Sequence, residues 1–175
     1  DRGGNEWRGG KGALGVRKGP DPNPIYDTFL IAGEQSGQGI TDDLNGFNPE
    51  GLSRLDATIS NGRRNSSATI FLNPALKRDN IKLQKNILVE KIFLENDRAV
   101  GIEVSEKGQK YRIEAEKEII LSAGALNSPQ ILMLSGIGPA DHLRNIGSNV
   151  SHDLPGVGQN LQDHATVSIS WECLK

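Results

Sequence analysis

The side chains best suited to general acid–base chemistry in this sequence are its three histidines, His142, His152 and His164, because imidazole titrates near neutral pH. No Gly-x-Ser-x-Gly nucleophile motif accompanies them, and no Cys/His spacing in the chain suits zinc. His142 falls in a helical stretch and His152 in a loop, and we predict no chemical role for either. His164 directly follows an aspartate and is the strongest catalytic candidate of the three.

Two other clusters invite a ligand-binding interpretation. Asp42 and Asp43 are neighbouring carboxylates, but their i, i+1 spacing and the missing histidine favour turn chemistry over a metal site. The Gly-Gly-Lys-Gly run that ends at Gly12 resembles a phosphate-binding loop. It lacks a preceding strand and a Ser or Thr after the lysine, so we interpret it as an ordinary turn. We therefore predict no metal site.

The stretch that begins at Glu118 combines a strand pattern with a tight turn. Glu118 to Ser122 is a short apolar run of the kind buried in a parallel sheet. Gly124 follows, and a residue without a β-carbon lets the backbone pass close to a neighbouring group. The pattern therefore predicts a buried strand that leads into a close backbone approach.

A helix is predicted directly after this turn. Asn127 or Ser128 can cap it, and Pro129 suits the first helical position, where no amide donor is required. Gly136 can adopt the left-handed conformation that ends a helix. These features predict a capped apolar helix between two glycine turns.

Four blocks of the chain together resemble the glucose–methanol–choline (GMC) flavoprotein oxidoreductases. The run 124–138 matches the family's Gly-x-x-x-Ser-Pro, aliphatic, Ser-Gly-Ile-Gly signature, and 153–164 is similar to its Leu-Pro-Gly-Val-Gly-x-Asn-Leu-x-Asp-His segment. Thr41 to Gly46 and Gly62 to Ala68 resemble the choline dehydrogenase branch in particular. Because the blocks occur in the family's order and cover nearly the whole chain, the sequence is identified as a member of this family.

The resemblance implies FAD-dependent oxidation of a primary alcohol to an aldehyde. A base takes the hydroxyl proton, a hydride passes from the carbinol carbon to the flavin, and an electron acceptor reoxidises the cofactor. The implied partners are thus FAD, a small alcohol and an electron acceptor. An oxidase that uses oxygen and a flavin-dependent hydroxynitrile lyase share the scaffold and remain alternatives. A third alternative is a catalytically silent isolated module.

The resemblance also implies where this chain contacts the cofactor. Val89 matches the position whose backbone clasps the adenine edge, while Ser122, Ala123 and Gly124 match the stretch that passes the adenosine ribose and the pyrophosphate. Small residues there allow close approach. The family's catalytic histidine and its His or Asn partner belong to a later segment that is missing here. No catalytic residue is therefore assigned, and His164 is predicted to be structural.

The same comparison implies an internal fragment, since the family's N-terminal Gly-x-Gly-x-x-Gly unit is also missing. We expect residues 1–72 to begin a substrate-binding domain, 73–160 to form part of an FAD-binding domain, and 161–175 to return as a strand to the substrate domain. Alone, such a piece is expected to be colourless and inactive. The missing parts of the parent, or a second copy, are its implied protein partners.

The predicted elements give an α/β fold of the α+β kind, part of an FAD-binding Rossmann-like domain with a small antiparallel β-meander, plus part of the substrate-binding domain. Apolar residues at helical spacing predict a helix from Asn23–Pro24 that ends by Gly33 and Gly37. A second helix is predicted from Arg63–Arg64 toward Leu72. Alternating runs separated by turns predict the meander. Its runs are 87–94, 99–105 and 110–115, and a further strand is expected over 164–172.

Composition limits the remaining function classes. A net charge of −2 over 175 residues gives no basic patch for nucleic acid, and no apolar run approaches the length of a membrane span. Cys173 is the single cysteine, so an internal disulfide is impossible, which mildly favours a reducing compartment such as the cytoplasm.

Overall fold

The computed structural model describes residues 3–19, 23–170 and 172, and the chain divides into two compact units between Leu83 and Gln84. Both units combine helices with strands, as the α+β prediction requires. Trp171, the last apolar position of the strand predicted over 164–172, and Cys173 lie outside the described residues. Within the described part, no helix is both long and apolar enough to cross a membrane.

The first unit contains one long helix and two pairs of very short strands. Strands β1 and β2 pair antiparallel, as do β3 and β4. A single π-helical turn, Ala68–Leu72, leads into the short helix α2. The elements are β1 (Arg17–Lys18), α1 (Ile25–Gln35), β2 (Asp56–Ala57), β3 (Ile59–Ser60), β4 (Arg63–Arg64) and α2 (Asn73–Ala75).

Helix α1 forms where the apolar spacing predicts it. The Asn23 side chain accepts the N–H of Ile25 at 3.1 Å, which satisfies one of the amides that a helix start leaves open. Gly37, at φ +81°, takes the chain out of the helix. Gly33, however, does not end the helix: it lies inside α1 and is buried.

The helix predicted from Arg63–Arg64 is wrong. Both arginines are extended and exposed in β4, which returns from β3 through Asn61 and Gly62. These two turn residues have φ values of +51° and +72°, the backbone that a two-residue hairpin turn needs and that Asn-Gly supplies. The hairpin therefore forms in place of a helix start, and helical structure begins only at Ala68.

The second unit contains the predicted meander, a long helix and a small parallel strand pair. Strands β5, β6 and β7 form an antiparallel sheet in that order, which confirms the meander. The turns use Asn96 and Asp97, and then Lys107 and Gly108, all at positive φ. The elements are β5 (Leu88–Glu95), β6 (Arg98–Glu106), β7 (Gln109–Glu114), α3 (Gly124–Leu134), β8 (Ile137–Gly138), α4 (Ala140–Asn145) and β9 (His152–Asp153).

Helix α3 packs against β5, and the core of the second unit lies around this contact. Ile92 on β5 and Ile131 on α3 are 8% and 7% exposed, and Val104 on β6 is 1% exposed. Leu143 is fully buried on the short helix α4. The meander therefore packs on α3, while α3 and α4 each contact β8.

Two predicted strands are absent from the described structure. Glu118 to Ser122 runs without strand pairing, and Ile120 is 80% exposed. Residues 164–170 are likewise unpaired, with Val167 87% exposed. A strand requires hydrogen bonds to a neighbour, and no strand of the described residues lies beside either segment. An apolar strand pattern in the sequence is therefore not sufficient for a strand to form.

The start of α3 also differs from the prediction. The helix begins at Gly124, and Pro129 lies inside it rather than at its first position. Ser128 does contribute a local hydrogen bond, because its Oγ accepts the N–H of Ala123 at 3.0 Å. The helix therefore starts earlier, at the cost of the one amide donor that proline lacks. Gly136, at φ +81°, follows its end as predicted.

Candidate cofactor-binding site

The turn in front of α3 presents bare backbone. Gly124 has φ +90°, and apart from its chain neighbours and its own helix backbone no protein atom lies within 4 Å of the point where a β-carbon on it would stand. Ser122 and Gly124 are exposed and Ala123 is half-buried. The Ser128 hydroxyl fixes the turn from the inside through the Ala123 amide. Another molecule can therefore approach this backbone more closely than side chains would allow elsewhere.

The first turn of α3 suits an anionic group. The first turn of α3 carries no acidic side chain, and the cap residue, Ala123, offers no side-chain acceptor to the first amides of the helix. The first amides of a helix have no partner within the helix, and the helix dipole places partial positive charge there. Open amides beside a bare glycine fit a phosphate-bearing ligand.

Val89 lies on the outer strand of the meander. It is half-buried and pairs with Val104 across β5 and β6, next to a register shift between Val89 and Lys91. Because β5 has β6 on one side only, its other backbone edge remains available for contacts with groups outside the sheet. This placement suits a main-chain contact, in which the identity of the side chain matters little.

One side chain links the two elements that carry these residues. Ser135, which follows α3, accepts the backbone N–H of Ile92 on β5 at 2.8 Å and donates to the carbonyl of Ile131 at 2.6 Å. The structure thus joins β5 to α3, whereas the assignment of Val89, Ser122, Ala123 and Gly124 to a cofactor stays a prediction. Sequence reasoning missed Ser135. Its position directly before the helix-ending Gly136 was the available signal.

The Ser-Gly-Ile-Gly run has a structural explanation. A β-carbon on Gly136 would stand 2.7 Å from Ser151 Oγ and 2.8 Å from the carbonyl oxygen of Asn149. The Gly136 carbonyl accepts the N–H of Ser151 at 2.8 Å. Asp153 then caps α4, because its Oδ1 accepts the Ala140 N–H at 3.0 Å. The two signature blocks are therefore held together in space.

The three histidines occupy separate surroundings. His142 is exposed on α4. His152 Nε2 lies 3.4 Å from Asp97 Oδ1, at the turn between β5 and β6. His164 is exposed, and its own backbone N–H donates to Asp163 Oδ1 at 2.8 Å. Among the described residues, no three or more His, Cys, Asp or Glu side chains are grouped to hold a metal.

The first unit has its own cavity, of about 600 Å³. Trp7, Arg8, Arg17, Lys18 and Asp56 are among its lining residues, together with several glycines. The adjoining loops are tied together, since Arg8 forms an ion pair with Asp43 and the Trp7 and Phe47 rings lie 5.7 Å apart.

Asp43 takes part in turn chemistry. Its Oδ1 accepts the N–H of Asn45 at 3.1 Å, and its own N–H donates to the Thr41 hydroxyl at 3.2 Å. With the Arg8 ion pair, these contacts account for the carboxylate without a metal.

Comparison with known sequences relates nearly all of the chain to one family. The sequence profile described as GMC oxidoreductase matches residues 6–166. Human mitochondrial choline dehydrogenase is 47% identical over 173 residues, which are 99% of this chain and 29% of that protein. The oxygen-dependent choline dehydrogenase of Brucella ovis is 51% identical over 174 residues, 98% of this chain and 31% of that protein. The chain thus spans less than a third of the length of these relatives.

Solved structures show the same relationship. An FAD-dependent oxidoreductase from Chaetomium thermophilum matches with a TM-score of 0.83 and 30% identity, over 89% of this chain and 28% of that one. The pyridoxine 4-oxidase from Mesorbium loti matches with a TM-score of 0.76 and 31% identity, over 84% of this chain and 29% of that one. The predicted fold class is confirmed by these similarities.

Proposed function

Because this chain belongs to the GMC oxidoreductase family, we propose that it forms part of an FAD-dependent enzyme that oxidises a primary alcohol to an aldehyde. The choline dehydrogenases to which it is similar over nearly its whole length support this proposal. The observation that carries the cofactor assignment is the bare backbone of Gly124 at the open start of α3.

The residues before α3 hold the phosphate and ribose part of the cofactor in this proposal. The backbone of Ser122, Ala123 and Gly124 lies against it, and the first amides of α3 face the negative charge of the pyrophosphate. Any side chain on residue 124 would enter the space that the ligand needs. When bound, FAD supplies the acceptor for the hydride that leaves the alcohol carbon.

Val89 provides the adenine contact. Its backbone lies on the outer strand β5, where N–H and C=O groups can meet the edge of a planar base. β5 and α3 pack against each other, so the proposed contacts for adenine and for the phosphates belong to one packed group of elements.

The proposed domain assignment divides the chain by function. The meander and α3 fall within 73–160, the proposed part of the FAD-binding domain. The cavity of about 600 Å³ falls within 1–72, which supports a substrate-binding role for that region. Residues 161–175 are proposed to pair as a strand with a sheet of the substrate domain. Val167 and Ile169 are apolar residues two positions apart that are 87% and 66% exposed, and unpaired apolar side chains with this spacing support the last assignment.

The electron acceptor distinguishes the proposal from a second candidate, an alcohol oxidase. The similarity to pyridoxine 4-oxidase favours the oxidase, whereas the choline dehydrogenases favour the dehydrogenase at higher identity. We expect the complete flavoenzyme to reduce an artificial dye in the presence of choline or a simple alcohol. Stoichiometric peroxide release in place of dye reduction would establish the oxidase. Absence of both activities in a flavin-loaded protein would refute both candidates.

The cofactor site is tested by a pair of matched glycine substitutions in the complete flavoenzyme. Gly124→Ala and Gly147→Ala each add one methyl group at a positive φ, +90° and +75°, with no protein atom within 4 Å. The backbone strain is therefore similar, and only Gly124 borders the proposed site. We expect Gly124→Ala to weaken FAD binding about tenfold, equivalent to roughly 1.4 kcal/mol, in a fluorescence titration of the apoprotein. Equal affinities for the two variants would refute the assignment.

A further inference from the structure

We propose that Ser135 is a positioning residue for the adenosine half of the cofactor site. Its hydroxyl holds β5 against the C-terminal end of α3, and so determines where Val89 lies relative to Gly124. This inference rests on the proposed function, because it requires those two residues to contact FAD.

The Ser135 hydroxyl makes two hydrogen bonds at once. It donates to the carbonyl of Ile131, 2.6 Å away, and accepts the N–H of Ile92, 2.8 Å away. A hydroxyl has one donor and two acceptor positions, so the two bonds are compatible. The donated bond fixes the hydroxyl to its own helix, and the accepted bond crosses to a strand 43 residues away in sequence.

The accepted bond occupies a backbone position of β5 that β6 leaves open. Ile92 lies opposite Ile102 of β6, yet its N–H points to Ser135 on the other side of the strand. The Ile92 side chain is 8% exposed. An amide in so apolar a place requires a partner, and the Ser135 hydroxyl supplies it.

This hydrogen bond defines the register between two stiff elements. Gly124 lies eleven residues before Ser135, about 16 Å along a helix that rises 1.5 Å per residue. Val89 lies three residues before Ile92, about 10 Å along the strand. Apolar contacts such as those of Ile92 and Ile131 hold helix and strand together without direction, whereas a hydrogen bond specifies which atoms meet. A small rotation or slide at Ser135 therefore moves both proposed contacts relative to each other.

A serine in the first unit provides a matched control. Ser36 also follows an eleven-residue helix, α1, and its Oγ donates to the carbonyl of Gly33 at 2.8 Å. Ser36 and Ser135 thus share residue type, position after the helix and the hydrogen bond back to the helix. They differ in the bond that Ser135 accepts from Ile92.

The test compares Ser135→Ala, Ser135→Thr and Ser36→Ala in the complete flavoenzyme. Three quantities are measured on the apoprotein: the dissociation constant for FAD, the hydrogen-exchange rate of the Ile92 amide, and the melting temperature. We expect Ser135→Ala to raise the dissociation constant about tenfold, because Val89 and Gly124 then lie less accurately for FAD, and to accelerate Ile92 exchange. Ser135→Thr retains the hydroxyl and is expected to retain the wild-type affinity. Ser36→Ala is expected to lower the melting temperature without changing FAD affinity.

Two results would overturn the inference. One is faster Ile92 exchange in Ser135→Ala with unchanged FAD affinity, which would reduce Ser135 to a structural role. The other is an equal loss of affinity in Ser36→Ala. Both leave the Gly124 test untouched, so failure of this inference is distinguishable from failure of the proposed function. If Ser135→Ala does not fold, Ser135→Cys replaces it. Because a thiol is a weak hydrogen-bond partner, we expect Ser135→Cys to bind FAD more weakly than the wild type and Ser135→Thr, and an unchanged FAD affinity would overturn the inference.

Discussion

Leu52 fills the space beside the α-carbon of Gly33 in which a β-carbon would stand. The leucine backbone is held in place, because its N–H donates to the carbonyl of Gly39 and its carbonyl accepts the N–H of Thr41, both at 3.0 Å. Helix α1 therefore lies so close to Leu52 that the leucine side chain would have to move to admit a β-carbon at position 33. This contact explains why a residue with poor helix propensity occupies the interior of α1.

Gly33→Ala is expected to destabilise the first unit. Overpacking against the Leu52 side chain costs about 1–3 kcal/mol, and the better helix propensity of alanine offsets about 1 kcal/mol of that loss. A net loss of up to about 2 kcal/mol should appear in urea denaturation. Gly12→Ala is the control, since no atom lies within 4 Å of its added methyl group. Equal stability of the two variants would contradict the packing argument.

Asp153→Ala is expected to destabilise the second unit by about 1 kcal/mol, the usual contribution of a helix cap. The carboxylate accepts the Ala140 N–H at 3.0 Å, and Ala140 is 7% exposed, so water replaces this bond poorly. Asp153→Asn retains an acceptor and should lose less.

The control for this cap is Asp141→Ala, also at the start of α4. Asp141 forms an ion pair with Arg144 at 3.0 Å, but its side chain is 96% exposed, and exposed pairs contribute little. Thermal unfolding of Asp153→Ala, Asp153→Asn and Asp141→Ala measures their order of stability. An Asp141 variant less stable than the Asp153→Ala variant would be inconsistent with the cap.

The ion pair between Glu90 and Lys110 predicts a pH dependence. The hydrogen bond from Lys110 lowers the pKa of the Glu90 carboxyl, and the same bond raises the pKa of the Lys110 ammonium. Because the folded-state pKa of Glu90 is depressed, its contribution is present above the unfolded-state pKa and is lost as pH falls through the folded-state value. The Lys110 contribution is present below its unfolded-state pKa and is lost as pH rises through the raised value.

Denaturant unfolding as a function of pH tests this linkage. The stability advantage of the wild type over Glu90→Gln is expected to be constant near neutral pH and to shrink in acid. Glu106→Gln, at the end of β6 in the same sheet, serves as control and should show no such trend relative to the wild type. An advantage of the wild type that grows on acidification would have the wrong sign.

The 175-residue chain alone is expected to be colourless and to show no alcohol-dependent dye reduction. The chain spans less than a third of the length of the choline dehydrogenases that it matches, and no catalytic residue is assigned among its described residues. The measurement is the visible spectrum of the purified chain after incubation with FAD, followed by a dye-reduction assay with choline. Tight stoichiometric flavin binding, or turnover, would disprove this expectation.

The sequence alone was sufficient for features that depend on neighbours along the chain. The alternation in β5 to β7 and their turn residues predicted the meander, since a short turn leaves antiparallel pairing as the available arrangement. Apolar spacing predicted α1, and glycine at position 136 predicted the end of α3. The four signature blocks identified the family.

Only the tertiary structure decided features that depend on partners distant in sequence. Glu118 to Ser122 has a strand pattern, but no strand of the described residues lies beside it, because pairing requires a second edge. Gly33 is of the residue type that often ends a helix, yet it lies inside α1, where Leu52 packs on it. The bond from Ile92 to Ser135 spans 43 residues, and no local pattern encodes a contact over that separation. Turns and helix ends depend on neighbouring residues, so they can be predicted from the sequence. Contacts between residues distant in sequence form only when the chain has packed.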